Sequence, residues 1–285
     1  MKKLLALLSI IIVFALTACG GNNNNEADET NTGSGDDNEL VSIKVGASSV
    51  PHAEILEEAK PLLEEKGIEL IIEEYQDFVM PNDALADGEL DANYFQHIPY
   101  LEQTVADTGY DLDYISGIHI EPMGIYSKDF ASLDDIPEGT EVILSNSVSD
   151  HPRVLELFED AGLIKLDDSV AQGELTFDDI VDNPKNLAFD PNFEPAFLPE
   201  LYRTEDDVLT VINTNYAIQA ELDPLEDALF VEGDESRYVN VIAVRSDDMD
   251  NEALHTLVDV LHSDEIQTFI NEKYEGAIVP VDDAE

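Results

Sequence analysis

The stretch DANYFQHIPYLE, residues 91–102, crowds the rings of Tyr94, Phe95 and Tyr100 and the imidazole of His97 into seven residues. Such a set makes an apolar wall with polar tips, suited to enclosing a small organic molecule or to a plain core cluster. Tyr75, in IIEEYQDF, adds a ring of the same character. Cations are rare, and only four arginines occur. One of them, Arg153 in SNSVSDHPRVLELF, follows Pro152 and so falls in the first turn of an expected helix. The helix dipole disfavours a cation there by about 0.3–1 kcal/mol, whereas the free N–H groups favour an anion. A guanidinium beside a helix N-terminus suits a carboxylate; a salt bridge to Asp150 or another acid accounts for the same residue. Asn213 and Asn215 end an apolar strand pattern in VINTNYA, and Asn240 lies inside another in YVNVIAV. A buried Asn left unpaired costs roughly 1–3 kcal/mol, and its partner is either backbone or, at strand ends of α/β sheets, a ligand.

Motifs of covalent and metal chemistry are missing. There is no G-x-S-x-G elbow, no P-loop and no H-E-x-x-H, and the six histidines keep no zinc spacing. DTGYDLDYISGI fails the calcium-loop pattern at both its glycine and its glutamate position. No metal site, no cofactor and no enzymatic activity are therefore expected.

The elements that must hold these side chains alternate between strand and helix. VSIKVGASS, IELIIEEY, TEVILS, VLTVINTN and YVNVIAVR read as strands. PHAEILEEAKPLLEEKG reads as a helix with Pro51 in its first turn and Gly67 at its stop, and PRVLELFEDAG, NEALHTLVDVLHS and DEIQTFINEKY as further helices. MPNDALADGELDANYF reads as a short helix, a turn and a short strand. Residues 91–102 themselves fit neither a long alternating strand nor an amphipathic helix, because Pro99 would interrupt one. This rhythm indicates α/β architecture with mainly parallel sheets, and its length suits two lobes.

Thirteen Lys and Arg against 64 Asp and Glu give a net charge of -51 in 285 residues. That balance argues against nucleic-acid partners and anionic lipid surfaces, which need cations. Self-repulsion at this density is relieved by salt, whose Debye length at 1 M is roughly 3 Å, so a saline or alkaline habitat is expected beside the plainer reading of an acidic soluble domain. Lys2 and Lys3 precede a 13-residue apolar run, residues 4–16, and then TACGG. This is a secretory leader, too short to span a membrane comfortably. Its end, LTAC, is similar to the bacterial lipobox, in which the cysteine, here Cys19, becomes a lipidated N-terminus. Each buried methylene of an acyl chain contributes about 0.8 kcal/mol, so two or three chains would hold the protein on the extracytoplasmic face of the cell membrane. Residues 1–18 are the expected leader and 19–40 an acidic, Asn-rich tether with an r.m.s. reach of roughly 25 Å.

DANYFQHIPYLE, IHIEPMGIYS, NPKNLAF, INTNYAIQAELDPLEDAL, YVNVIAVR and the ending SDEIQTFINEKYEGAIVPV together resemble the methionine-binding lipoprotein family, also called the NlpA or MetQ family, over residues 43–281. The resemblance implies a periplasmic-binding-protein fold: two α/β lobes, residues 41–124 plus 240–285 and residues 125–239, joined by two crossover segments with a ligand cleft between. It implies delivery of D- or L-methionine, or of a similar amino acid, to the permease and ATPase subunits of an ABC importer. It puts the aromatic wall on Tyr75, Phe95 and His97, the carboxylate-binding arginine on Arg153 and polar clamps on Asn215 and Asn240. One departure stands out. Where the family usually reads P-N-D-x-x-N-x-x-R, this chain has SNSVSDHPR, with Asp150 in place of an asparagine. That carboxylate would either pair with a ligand ammonium or tie up Arg153. Another apolar amino acid, a short peptide, or a surface adhesin or signalling role with a vestigial cleft are the alternatives.

Overall fold

The structure, a computed structural model, describes residues 40–233 and 237–281. Cys19, the leader and all but the last residue of the tether lie outside the described residues. Eleven of the strands form two sheets. The first runs Val279–Pro280, Leu112–Ile120, Val239–Arg245, Ala92–Tyr94, Val41–Ser48, Ile68–Tyr75 in spatial order. The second runs Ala228–Val231, Gly124–Tyr126, Leu209–Ile212, Glu141–Ser145, Ala188–Phe193. The chain crosses from the first sheet to the second after Ile120 and returns before Val239.

Neither sheet is mainly parallel. Val41–Ser48 pairs parallel with both its neighbours, but Val239–Arg245 and Val279–Pro280 pair antiparallel. In the second sheet Leu209–Ile212 and Ala188–Phe193 run parallel to Glu141–Ser145, while Gly124–Tyr126 is antiparallel to both its partners. The physical reason lies in the crossings. Direct extended connections deliver strands into a sheet against its βαβ direction, and only helical crossovers return them parallel.

Each sheet has its own core. Val45, Ala47, Ile242 and Val244 of the first pack under the helices Glu54–Glu65, Glu252–Leu261 and Asp264–Tyr274 through Ile55, Leu63, Leu257 and Ile270. Val142, Leu144 and Val211 of the second pack with Leu155 and Phe158 of the helix His151–Asp160. Phe158 is fully buried, with its ring 5.1 Å from that of Phe189. Phe158→Ala should therefore cost about 3–5 kcal/mol, read as a lowered urea midpoint; a loss below about 1 kcal/mol would show that the site collapses around the deletion.

Two local expectations change. Pro51 lies not in the first turn of the helix but in the tight turn Ser49–Ala53 ahead of Glu54–Glu65, with Val50 extended. Pro99 does not interrupt a helix; it opens one. Ile98–Thr108 carries it in the first turn, where a missing N–H costs nothing, and ends at Gly109 with φ 72°. The aromatic stretch is thus a strand end, a two-residue joint and a helix start.

Candidate functional site

That joint is held from inside. Asn82 and Gln96 exchange hydrogen bonds, each amide nitrogen donating to the other's oxygen at 2.8 Å, and Asn93 donates to Asn82 Oδ1 at 2.8 Å. All three are buried. With Asn93 and Gln96 tied inward, Phe95 and His97 are presented to a partly open cavity. His97 also caps the following helix: its Nδ1 accepts from the backbone N–H of Tyr100 at 3.1 Å. That contact fixes the tautomer, because the proton must then sit on Nε2. His97 Nε2 donates to Asp150 Oδ1 at 3.0 Å, a contact between the first sheet's joint and the segment that enters His151–Asp160.

One part of the cavity wall is aromatic. The ring of Phe78 stands 6.0 Å from Phe95 and 6.1 Å from Tyr100. Phe95 and His97 are lining residues, as placed by the sequence, but Tyr75 is not. Its ring lies across Gly46, where a Cβ would come within 3.0 Å of it, and its hydroxyl donates to Glu73 at 3.0 Å. Phe78, three residues on, takes the place assigned to it. Burial and the Glu73 carboxylate raise the Tyr75 phenol to about 12.

The rest of the wall is charged and polar. Arg153, 4% exposed, stands in the first turn of its helix as the sequence indicates. Its partner is Glu232, not Asp150: Nε and Nη2 donate to Oε2 at 3.0 and 2.5 Å. Nη2 also donates to the carbonyl of Glu121 at 2.7 Å, and the guanidinium stacks over Tyr238 at 4.6 Å. Arg153 therefore grips both crossings, at Glu121 on one and at Glu232 and Tyr238 on the other. Among the described residues Nη1 has no hydrogen-bond partner. Asn215 and Asn240 line the same cavity. Asn215 is buried in the first turn of Thr214–Gln219, and its backbone N–H donates to Glu121 Oε2 at 3.1 Å.

Glu121 is the residue that sequence reasoning missed. It is 7% exposed, and Oε1 lies 3.1 Å from His52 Nε2 and 2.9 Å from His119 Nε2. His119 Nε2 faces a carboxylate oxygen and so donates to Glu121, which leaves Nδ1 of the neutral ring to accept from the Tyr94 hydroxyl. His52 Nε2 faces Glu121 Oε1 and Asn240 Oδ1, both acceptors, and so is a donor too. Burial lowers His52 to about 4 and His119 to about 3. Burial also raises the Glu121 carboxyl, against the pull of His52 and Arg153. His52, His119 and Glu121 bring three ligand-type atoms within 4.8 Å, a donor set used by zinc. Here each Nε2–H is already committed to the carboxylate, so the triad works as a hydrogen-bonded anchor beneath Asn240. The signal for Glu121 was available: a lone carboxylate in the apolar run IHIEPMG, as anomalous as Asn240 in YVNVIAV.

Asp150, 2% exposed, completes the wall. Its Oδ2 accepts from Asn213 Nδ2 at 3.2 Å. Burial works to raise it, but the His97 hydrogen bond, Arg153 and Asn213 outweigh that and hold it below the usual carboxylate range.

An arginine, two buried carboxylates and amides beside a ring cluster, drawn from both sheets, suit a zwitterion with an apolar side chain. Residues 43–282 match the model of the NlpA lipoprotein family. The chain is 45% identical over 285 residues to the methionine-binding lipoprotein MetQ of Bacillus subtilis, covering 99% of each. It is 49% identical to the crystal structure of a pheromone cOB1 precursor/lipoprotein of the YaeC family from Enterococcus faecalis, with TM-score 0.82, covering 84% of this chain and 100% of that one. A nutrient binding protein from Burkholderia cenocepacia, whose structure is bound to methionine, is 37% identical with TM-score 0.79, covering 84% of this chain and 100% of that one. By the span of the family match and the identity held across the whole length, this chain belongs to the NlpA lipoprotein family.

Proposed function

We propose that the protein is an extracytoplasmic solute-binding component that captures methionine, or a closely related apolar amino acid, and hands it to an ABC importer. The lobes would be residues 41–124 plus 240–285 and residues 125–239, closing over the cleft by bending at the two crossings. Cys19 would carry the lipid anchor; among the described residues no helix is long and apolar enough to cross a membrane.

The observation that carries this reading is the junction of Phe78, Phe95 and Tyr100 with Arg153 in one cavity. A thioether gains about 0.3–1.5 kcal/mol beside an aromatic ring. The guanidinium would take the α-carboxylate, and Asn215 and Asn240 would hold the polar end of the ligand.

The test is thermal unfolding of the compact unit, residues 38–285, stripped of carried-over ligand, in high salt, against amino acids and dipeptides. A ligand at 100 times its Kd should stabilise by about 2.7 kcal/mol. A shift with L- or D-methionine is expected. A shift with another member alone would move the specificity, and no shift with cooperative unfolding intact would sink the transport reading.

A further inference from the structure

We infer that Asp150 is the cation-recognising group of this cleft and takes the α-ammonium of its ligand, an assignment that rests on the amino-acid reading above. Four observations converge on it. First, Asp150 closes the short helical turn Val148–Asp150 that runs into His151–Asp160, and its side chain makes no bond to the N–H groups of that helix. It turns away, to His97 and Asn213.

Second, neither of those partners cancels its charge. His97 donates from Nε2 as a neutral imidazole, since its Nδ1 is occupied as an acceptor by Tyr100 N–H. Asn213 is an amide. The nearest full cation, Arg153, is engaged by Glu232 through Nε and Nη2. Arg153 thus faces two carboxylates with one charge, and Asp150, 2% exposed and lining the cavity, has no cation hydrogen-bonded to it.

Third, its oxygens have room. Each accepts one hydrogen bond, and a carboxylate oxygen offers about two acceptor positions. Glu121, the other carboxylate in the wall, is occupied differently: Oε1 takes both imidazole N–H groups and Oε2 takes Asn215 N–H. Fourth, Asn213 Oδ1 is buried without a partner among the described residues, and its orientation is set by Nδ2 donating to Asp150. The amide thus adds a second acceptor beside Asp150 in the same wall, and an ammonium with three N–H groups can use both.

The experiment compares the affinity of L-methionine with that of 4-(methylthio)butanoate, which lacks the ammonium, by calorimetry on the full-length chain in detergent. The wild type should prefer methionine by at least about a hundredfold. In Asp150→Asn that ratio should fall at least about tenfold, while the ratio of methionine to methioninamide, which keeps the ammonium, should change less than about threefold. Comparing ligands within one variant removes any general loss of stability. Asp150→Ser serves if Asn is not tolerated, since it removes the charge without pointing an amide N–H at the donors of His97 and Asn213. Binding with an unchanged ratio in either variant overturns the assignment alone. If no α-amino acid binds the wild type, the reading of the cleft falls and the assignment with it.

Discussion

Arg153→Ala is expected to weaken binding of the amino-acid ligand by at least about a hundredfold, the usual consequence of truncating one side of a buried, hydrogen-bonded charge contact. The substitution does more than remove a ligand contact. It takes from the Glu232 carboxylate, 16% exposed, two charged N–H donors and leaves Met123 N–H on the same oxygen, and it removes the cation stacked on Tyr238. Breaking such a pair from one side costs about 3 kcal/mol or more. The guanidinium also joins the carbonyl of Glu121 on one crossing to Glu232 on the other, so its loss should loosen both together. A charge-balanced variant, Arg153→Met with Glu232→Gln, separates the two effects. It should recover most of the lost stability in urea unfolding and none of the lost affinity in calorimetry. Wild-type affinity in that folded double variant would refute the carboxylate role.

The polar half of this site was readable because its residues are misfits in their local sequence. An arginine just after a proline at a helix start, and Asn240 among β-branched residues, cost free energy unless something pays them back in contacts, and Arg153, Asn215 and Asn240 all line one cavity. The aromatic half was harder. Tyr75 and Phe78 are equally plausible rings, and what sends the first aside is Gly46 on the neighbouring strand, a tertiary fact with no trace near residue 75. Tyr100 shares its helix turn with His97, but that turn is hidden to a reading that treats Pro99 as a breaker and not as a first-turn residue. His52 and His119 fall together only through the register of strand and turn, so no spacing announces them. The alternation of strands and helices was legible throughout, while strand direction was not: antiparallel pairing at the crossings depends on which sheet each segment enters.

The same buried triad predicts a steep loss of stability in acid. His52 and His119 are held neutral in the folded chain, lowered by burial to about 4 and about 3, against 6.5 when unfolded. Between pH 6.5 and 4 the unfolded chain therefore binds up to two more protons than the folded one, and stability falls as the pH falls. The limiting slope is about 2.7 kcal/mol per pH unit, two protons at about 1.36 each. Above pH 6.5 neither group contributes. The raised Glu121 carboxyl acts in the opposite sense, taking a proton in the folded state and easing the fall toward the lower end of the window. Asp150, held below its usual range, adds its own loss only below the ordinary carboxylate pKa. Urea unfolding in high salt from pH 7.5 to 4.5 would measure the slope with self-repulsion of the 64 acidic side chains screened. His119→Gln keeps a donor for Glu121 and removes one titrating group, so it should cut the proton difference by about one. A wild-type curve flat below pH 6.5, or the same slope in His119→Gln, would mean that these imidazoles are not the neutral donors that hold Glu121.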